Sequence, residues 1–217
     1  MLVNAVNKQC SVNGRSSVNT AERRERDRQE MRRQILDAAM ALFIDQGVEK
    51  VSVRGIAHMI GYSPGTIYLY FKDKDDIFYH LHEEGFSRLI EVQKDTMTEA
   101  DPAQRLRLMG KAYIQFAIQN PEYYELMFII RSPIKQVDTV WNCGMESLDC
   151  LRQTIQANID SGQLKGVDAE MATFAMWSAV HGLASLLLRG RFKMVPEENI
   201  EGLIEGVMEV LDKKMMR

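Results

Sequence analysis

The sequence predicts an all-α protein, and two observations carry that prediction. Apolar residues recur at helical spacing through most of the chain, with no persistent alternating strand pattern and no internal repeat. Helix breakers then cut the chain into helix-length pieces: Gly47, Gly61, Asn120–Pro121, Ser132–Pro133, the loop from Gly162 to Gly166, and Pro196. With 217 residues, 46% of them hydrophobic and 26% charged, the chain can bury a real core in one compact unit or two small ones.

The elements follow in order. Residues 1–27 are polar, include NGRSSVNT, and are expected to be a disordered extension. Within RRERDRQEMRR, residues 23–33, six Arg stand against three acids. The run reads either as a solvated helix face or as an arm approaching DNA phosphates or the minor groove. Ile35, Ala39, Leu42 and Phe43 give the first helix one inner face, which Gly47 closes.

Residues 52–74, SVRGIAHMIGYSPGTIYLYFKDK, then read as two short helices around a tight turn. Ser52 caps the first of them, whose stripe is Val53, Ile56, Ala57 and Ile60. Gly61 frees the turn; Ser63 caps the second helix, and Pro64 suits its first position. Ile67 and Phe71 face inward, which leaves the hydroxyls of Thr66, Tyr68 and Tyr70 outward, as on a groove-reading helix. Asp73 caps a long fourth helix into the mid-nineties, with Asp76 near its positive end. Further helices are expected near 102–119, 121–130, 137–161, 168–190 and 196–214.

GYSPGTIYLYFKDKDDIF resembles the recognition segment of the TetR family of transcriptional repressors, through Gly61, Ser63, Gly65, Thr66, Ile67, Tyr68, Tyr70, Phe71, Lys72, Lys74 and Phe78. Ile35 to Ala57 resembles the same family's first helix and the start of its second. Three residues depart from the pattern: Tyr62 for a small aliphatic residue, Gly55 for the acid that often completes the cap, and Asp73 for Ser or Asn. The resemblance implies a helix-turn-helix domain over 28–75 and an effector-binding and dimerisation domain over 76–217. Ser52, Arg54, Ser63, Pro64, Gly65, Thr66, Tyr68, Tyr70, Lys72 and Lys74 are then the candidate DNA contacts. Tyr68, Tyr70 and Lys74 suit phosphates, whereas Ser63 and Thr66 suit base edges.

Trp177, His181 and Gly182, with EYYELMF at 122–128, resemble one effector-domain subgroup marked by a W…HG signature. Dimerisation through 168–214 is implied, as is a mostly apolar pocket. Its candidate lining is Tyr113, Phe116, Tyr123, Phe128, Trp141, Met145, Trp177 and His181. Side chains of this kind at helical spacing also build plain cores, and a lone His in an apolar helix is more often a hydrogen-bonded core residue.

Charge sharpens the division. Residues 1–80 carry 12 Lys/Arg against 10 Asp/Glu, whereas the remainder carries 15 against 20. A DNA-facing end with an acidic partner domain fits that asymmetry. Cys10, Cys143 and Cys150 are odd in number and lack CxxC spacing, so they make no disulfide framework. No run approaches ~18 consecutive apolar residues and the N-terminus lacks a signal-peptide pattern, so a cytoplasmic protein without a membrane partner is expected. No nucleophile–base pair, metal-ligand spacing or glycine-rich phosphate loop is visible. Neither an enzyme nor a cofactor is therefore expected. The leading expectation is a homodimeric repressor on a palindromic double-stranded DNA operator, released by a small apolar or amphipathic effector. The alternative is a DNA-binding regulator without an effector.

Overall fold

The computed structural model describes residues 13–130 and 142–215, and among these the secondary structure is helical. The chain divides into two compact units, Met1–Ile77 and Phe78–Arg217.

In the first unit, α1 spans Asn13–Gln46, 34 residues in all. It therefore begins well inside the stretch expected to be a disordered extension, and residues 13–27 correct that expectation. Further along α1, Gln29 donates to Glu25 and Arg33 pairs with Asp37, each one helical turn apart. Residues 1–12 lie outside the described ones. Gly47 ends α1 at φ +80°, its N–H bonded to the Phe43 carbonyl. A single 3₁₀ turn, Val48–Lys50, leads to α2, Val53–Met59. α2 packs against α1 and against α3, Pro64–Ile67. Ile35, Ala39, Phe43, Ile56, Ala57, Ile67 and Phe71 close the core between them.

α4, Lys74–Thr96, starts in the first unit and continues through the second. Asp73 Oδ1 accepts from the Asp76 N–H at 2.8 Å, and the Asp76 carboxylate accepts from the Lys72 N–H at 2.7 Å. These two bonds fix where the helix begins.

In the second unit, α5 (Pro102–Gln119) packs against α7 (Asn142–Asp160), α8 (Ala169–Leu188) and α9 (Ile200–Met215). α6 is one turn, Pro121–Tyr124, which widens into a π-helical turn over Glu125–Ile129 where an unbroken helix to 130 was expected. Arg107 and Lys111 of α5 both bond Glu205 of α9, and together they hold its carboxyl below the usual carboxylate range. α8 is long and apolar enough to cross a membrane by composition, yet Ala172, Thr173, Met176, Val180, Leu183 and Ala184 are buried where it packs on α5 and α7.

Candidate nucleic-acid interface and internal cavity

The first site is built around two serine caps. Ser52 Oγ accepts from the Gly55 N–H at 3.1 Å, and Ser63 Oγ accepts from the Thr66 N–H at 3.3 Å. Ser63 Oγ also lies 3.2 Å from Thr66 Oγ1, so both hydroxyls are engaged within α3. Between the caps, Gly61 takes φ +74°, a conformation that costs a residue bearing a Cβ roughly 1–2 kcal/mol. α3 is only one turn, after which Tyr68, Leu69 and Tyr70 are carried by 3₁₀-type turns that end with the Tyr70 and Phe71 N–H groups on the Ile67 carbonyl.

The outer surface of this segment is set by what Ile67 and Phe71 leave outside. Tyr68 is 56% exposed, Leu69 74% and Tyr62 47%. Arg54, Gly65 and Lys72 are exposed as well, while Pro64, Thr66 and Tyr70 are half-buried. α1 braces the segment from behind: Arg32 donates to the Tyr70 carbonyl at 2.8 Å and lies 4.4 Å over the Phe71 ring, and Arg28 sits 6.0 Å from the Tyr70 ring. Lys74 is half-buried, and its ammonium donates to the Val48 carbonyl at 3.2 Å. That leaves Lys72 as the more open of the two lysines. Leu69 escaped the sequence reading because an apolar residue between two tyrosines gives no polar signal.

The second site is a cavity of about 250 Å³ inside the second unit. Four of the eight residues expected there line it: Tyr113, Phe128, Met145 and Trp177. Phe128 comes from the π turn. Phe116, Tyr123 and His181 do not line it, and Trp141 lies outside the described residues. Tyr123 instead meets Arg88 of α4, 4.5 Å from its ring centre. His181 stands behind the cavity wall: its Nδ1 is 3.0 Å from the Tyr113 hydroxyl and 2.9 Å from that of Tyr124. Tyr124 also donates to the His181 carbonyl at 3.1 Å. Burial pushes His181 below the ordinary imidazole range and Tyr124 up to about 12, so all three groups stay neutral.

Residues that the sequence reading missed complete the lining. They include Phe86 and Gln93 of α4, Met109 of α5, Ser147 of α7 and Phe174 of α8. Gln93 carried one faint signal, since it extends the apolar series Phe86, Leu89, Ile90 at helical spacing. Cys143 and Cys150 have thiols pushed up by burial, which disfavours the reactive thiolate.

Residues 35–81 match the family model of the tetR family of bacterial regulatory proteins, and residues 106–211 match that of the Tetracyclin repressor-like, C-terminal domain. The HTH-type transcriptional regulator AcrR of Shigella flexneri is 30% identical over 153 residues, which cover 66% of this chain and 71% of that protein. The chain belongs to the TetR family. As a TetR-family member it is a DNA-binding transcriptional regulator and not an enzyme. The HTH-type transcriptional repressor AcnR of Corynebacterium glutamicum is 28% identical over 83% of this chain and 88% of that protein. The fold is shared with the transcriptional regulator FadR from Bacillus subtilis, solved in complex with stearoyl-CoA, at a TM-score of 0.69 and 23% identity; the match covers 82% of this chain and 96% of that one.

Proposed function

We propose that this TetR-family regulator is a homodimeric repressor, cytoplasmic like the DNA it binds, which grips a palindromic operator and lets go when a small apolar or amphipathic ligand fills its cavity. The observation that carries this reading is the presence, in one chain, of a helix-turn-helix with Tyr68 and Lys72 exposed and an apolar cavity in a separate unit. Repression is supported by the likeness to a relative named as a repressor, and ligand control by the shared fold with a regulator solved with an acyl-CoA.

Dimerisation through residues 168–214 is supported by an uncovered face. On α8, Met171, Phe174, Ala175, Ser178 and Leu186 are exposed at helical spacing, and on α9 so are Gly202, Gly206 and Val210. A Cβ added at Gly182, Gly202 or Gly206 would meet nothing within 4 Å, so a second copy could approach closely there. Two-fold symmetry then sets two recognition segments roughly 34–36 Å apart, one helical turn of DNA. For release, the ligand must bind the non-gripping conformation more tightly, since equal affinity for both forms shifts nothing.

The test is fluorescence anisotropy on an operator selected from random duplexes, with salt titrated. Lys72→Ala should weaken operator and random DNA alike and flatten the slope of log K against log salt by about 0.9, the value of one phosphate contact. A slope identical to wild type removes Lys72 from the interface.

A further inference from the structure

The cavity is apolar nearly all round, but one polar group is built into its wall. Gln93, on α4, is 4% exposed and lines the cavity. Its amide orientation is set by Ser147 of α7, also buried, whose hydroxyl donates to Gln93 Oε1 at 2.8 Å. With Oε1 engaged, the amide NH₂ is what Gln93 has left to offer, and no bond joins Nε2 to another described residue. Facing the cavity, that NH₂ can meet an acceptor brought by an occupant.

The rest of the lining narrows that occupant. No charged side chain lines the cavity among the described residues. A carboxylate, phosphate or ammonium would therefore meet no counter-charge there. The faces presented are aromatic rings and thioethers, chiefly Tyr113, Phe128, Trp177, Met109 and Met145. A cavity of 150 Å³ holds benzene, so by proportion about 250 Å³ holds a molecule of roughly ten non-hydrogen atoms.

We infer that the cavity takes a small neutral ligand, mostly apolar or aromatic, carrying one hydrogen-bond acceptor such as a carbonyl or ether oxygen, and that Gln93 Nε2 donates to it. This rests on the ligand-responsive reading above and specifies its ligand. It also places the ligand's single polar anchor on α4, the helix that continues from the DNA-binding unit.

Acetophenone and isopropylbenzene test it, having nearly one shape and differing in the carbonyl oxygen. The full-length protein is labelled at its methionine methyl groups, of which Met109, Met145 and Met176 line the cavity, and titrated with each compound by NMR. Both should shift those methyls, with acetophenone bound roughly five- to tenfold more tightly, as one net hydrogen bond gives. The Gln93→Leu/Ser147→Ala variant, which orphans neither polar partner, should bind the hydrocarbon at least as well as before and lose the preference for the ketone. Should that variant fold poorly, the Gln93 side-chain NH₂ resonance of the wild-type protein decides: it should move with acetophenone and stay put with isopropylbenzene. Equal affinities, or an unmoved amide, overturn the role of Gln93 while leaving a ligand cavity in place. If neither compound touches the methionine methyls, the inference falls together with the ligand-responsive reading.

Discussion

Two histidines show how position decides the character of one residue type. His82 is buried against Phe86, with ring centres 4.8 Å apart, and its ring donates to the Met127 carbonyl. Burial lowers it from 6.5, as it lowers His181. Below pH 6.5 the unfolded chain therefore takes up protons that the folded chain refuses, and stability must fall as pH drops. The urea midpoint should be lower at pH 5.5 than at pH 7.5, and His82→Phe should shrink that difference. A wild-type midpoint that does not change between the two would remove burial of these imidazoles as a source of pH dependence. The recognition segment offers a second residue-scale outcome. Tyr68 is exposed, so Tyr68→Phe should leave thermal stability within about 0.5 kcal/mol. If its hydroxyl meets a phosphate, operator affinity should drop by about 0.5–1.5 kcal/mol in an anisotropy titration.

At the scale of elements, glycine marks the places where geometry is tight. Gly61 sits at φ +74° in the turn between α2 and α3, so Gly61→Val should destabilise the first unit by roughly 1–2 kcal/mol. Differential hydrogen exchange would localise the loss to residues 52–71; uniform loss across both units would contradict it. Gly85 is different, because its φ is ordinary and its need is space. A Cβ there would fall 2.5 Å from the Met127 sulfur and 3.0 Å from Tyr123 Cδ1. The thioether can swing aside, but the Tyr123 ring is buried and held under Arg88. Gly85→Val should therefore cost about 1–3 kcal/mol, read as a lower urea midpoint at unchanged m-value. The π turn at Glu125–Ile129 belongs to the same contact: it bonds the Ile130 N–H to the Glu125 carbonyl, faces α4 with Met127 and turns Phe128 into the cavity.

At the scale of the molecule, the uncovered face of α8 and α9 is the feature a second copy would explain. Gly206 is exposed with nothing within 4 Å of an added Cβ, so Gly206→Arg should fold as the wild-type chain does, apart from the modest loss or gain of helix propensity. In sedimentation equilibrium at micromolar concentration it should nevertheless shift the protein toward monomer, and operator affinity should fall with it. A variant that stays fully dimeric would move the interface elsewhere.

Much of this was legible in the sequence, for a physical reason. Helix periodicity, caps and breakers are local, so the bounds 102–119 and the caps at Ser52, Ser63 and Asp73 could be read from neighbours a few residues away. The recognition segment was equally legible because its function and its fold lie within some twenty consecutive residues. Even there, no end for α3 could be read, since propensity does not say where a helix tightens into 3₁₀ turns.

The cavity was only half legible. Tyr113, Phe128, Met145 and Trp177 were found because aromatic and Met side chains announce themselves, whereas Phe116, Tyr123 and His181 carry the same signal and face other neighbours. Which side of a helix faces a void depends on how α4, α5, α7 and α8 pack, and that is settled by contacts between residues on different helices. Gln93 and Ser147, 54 positions apart, are the clearest case. By itself the sequence determined the all-α class and the helix-turn-helix. Only the tertiary structure decided which amide lines the cavity and which hydroxyl holds it, because such pairings are a property of neighbours in space and not of neighbours in the chain.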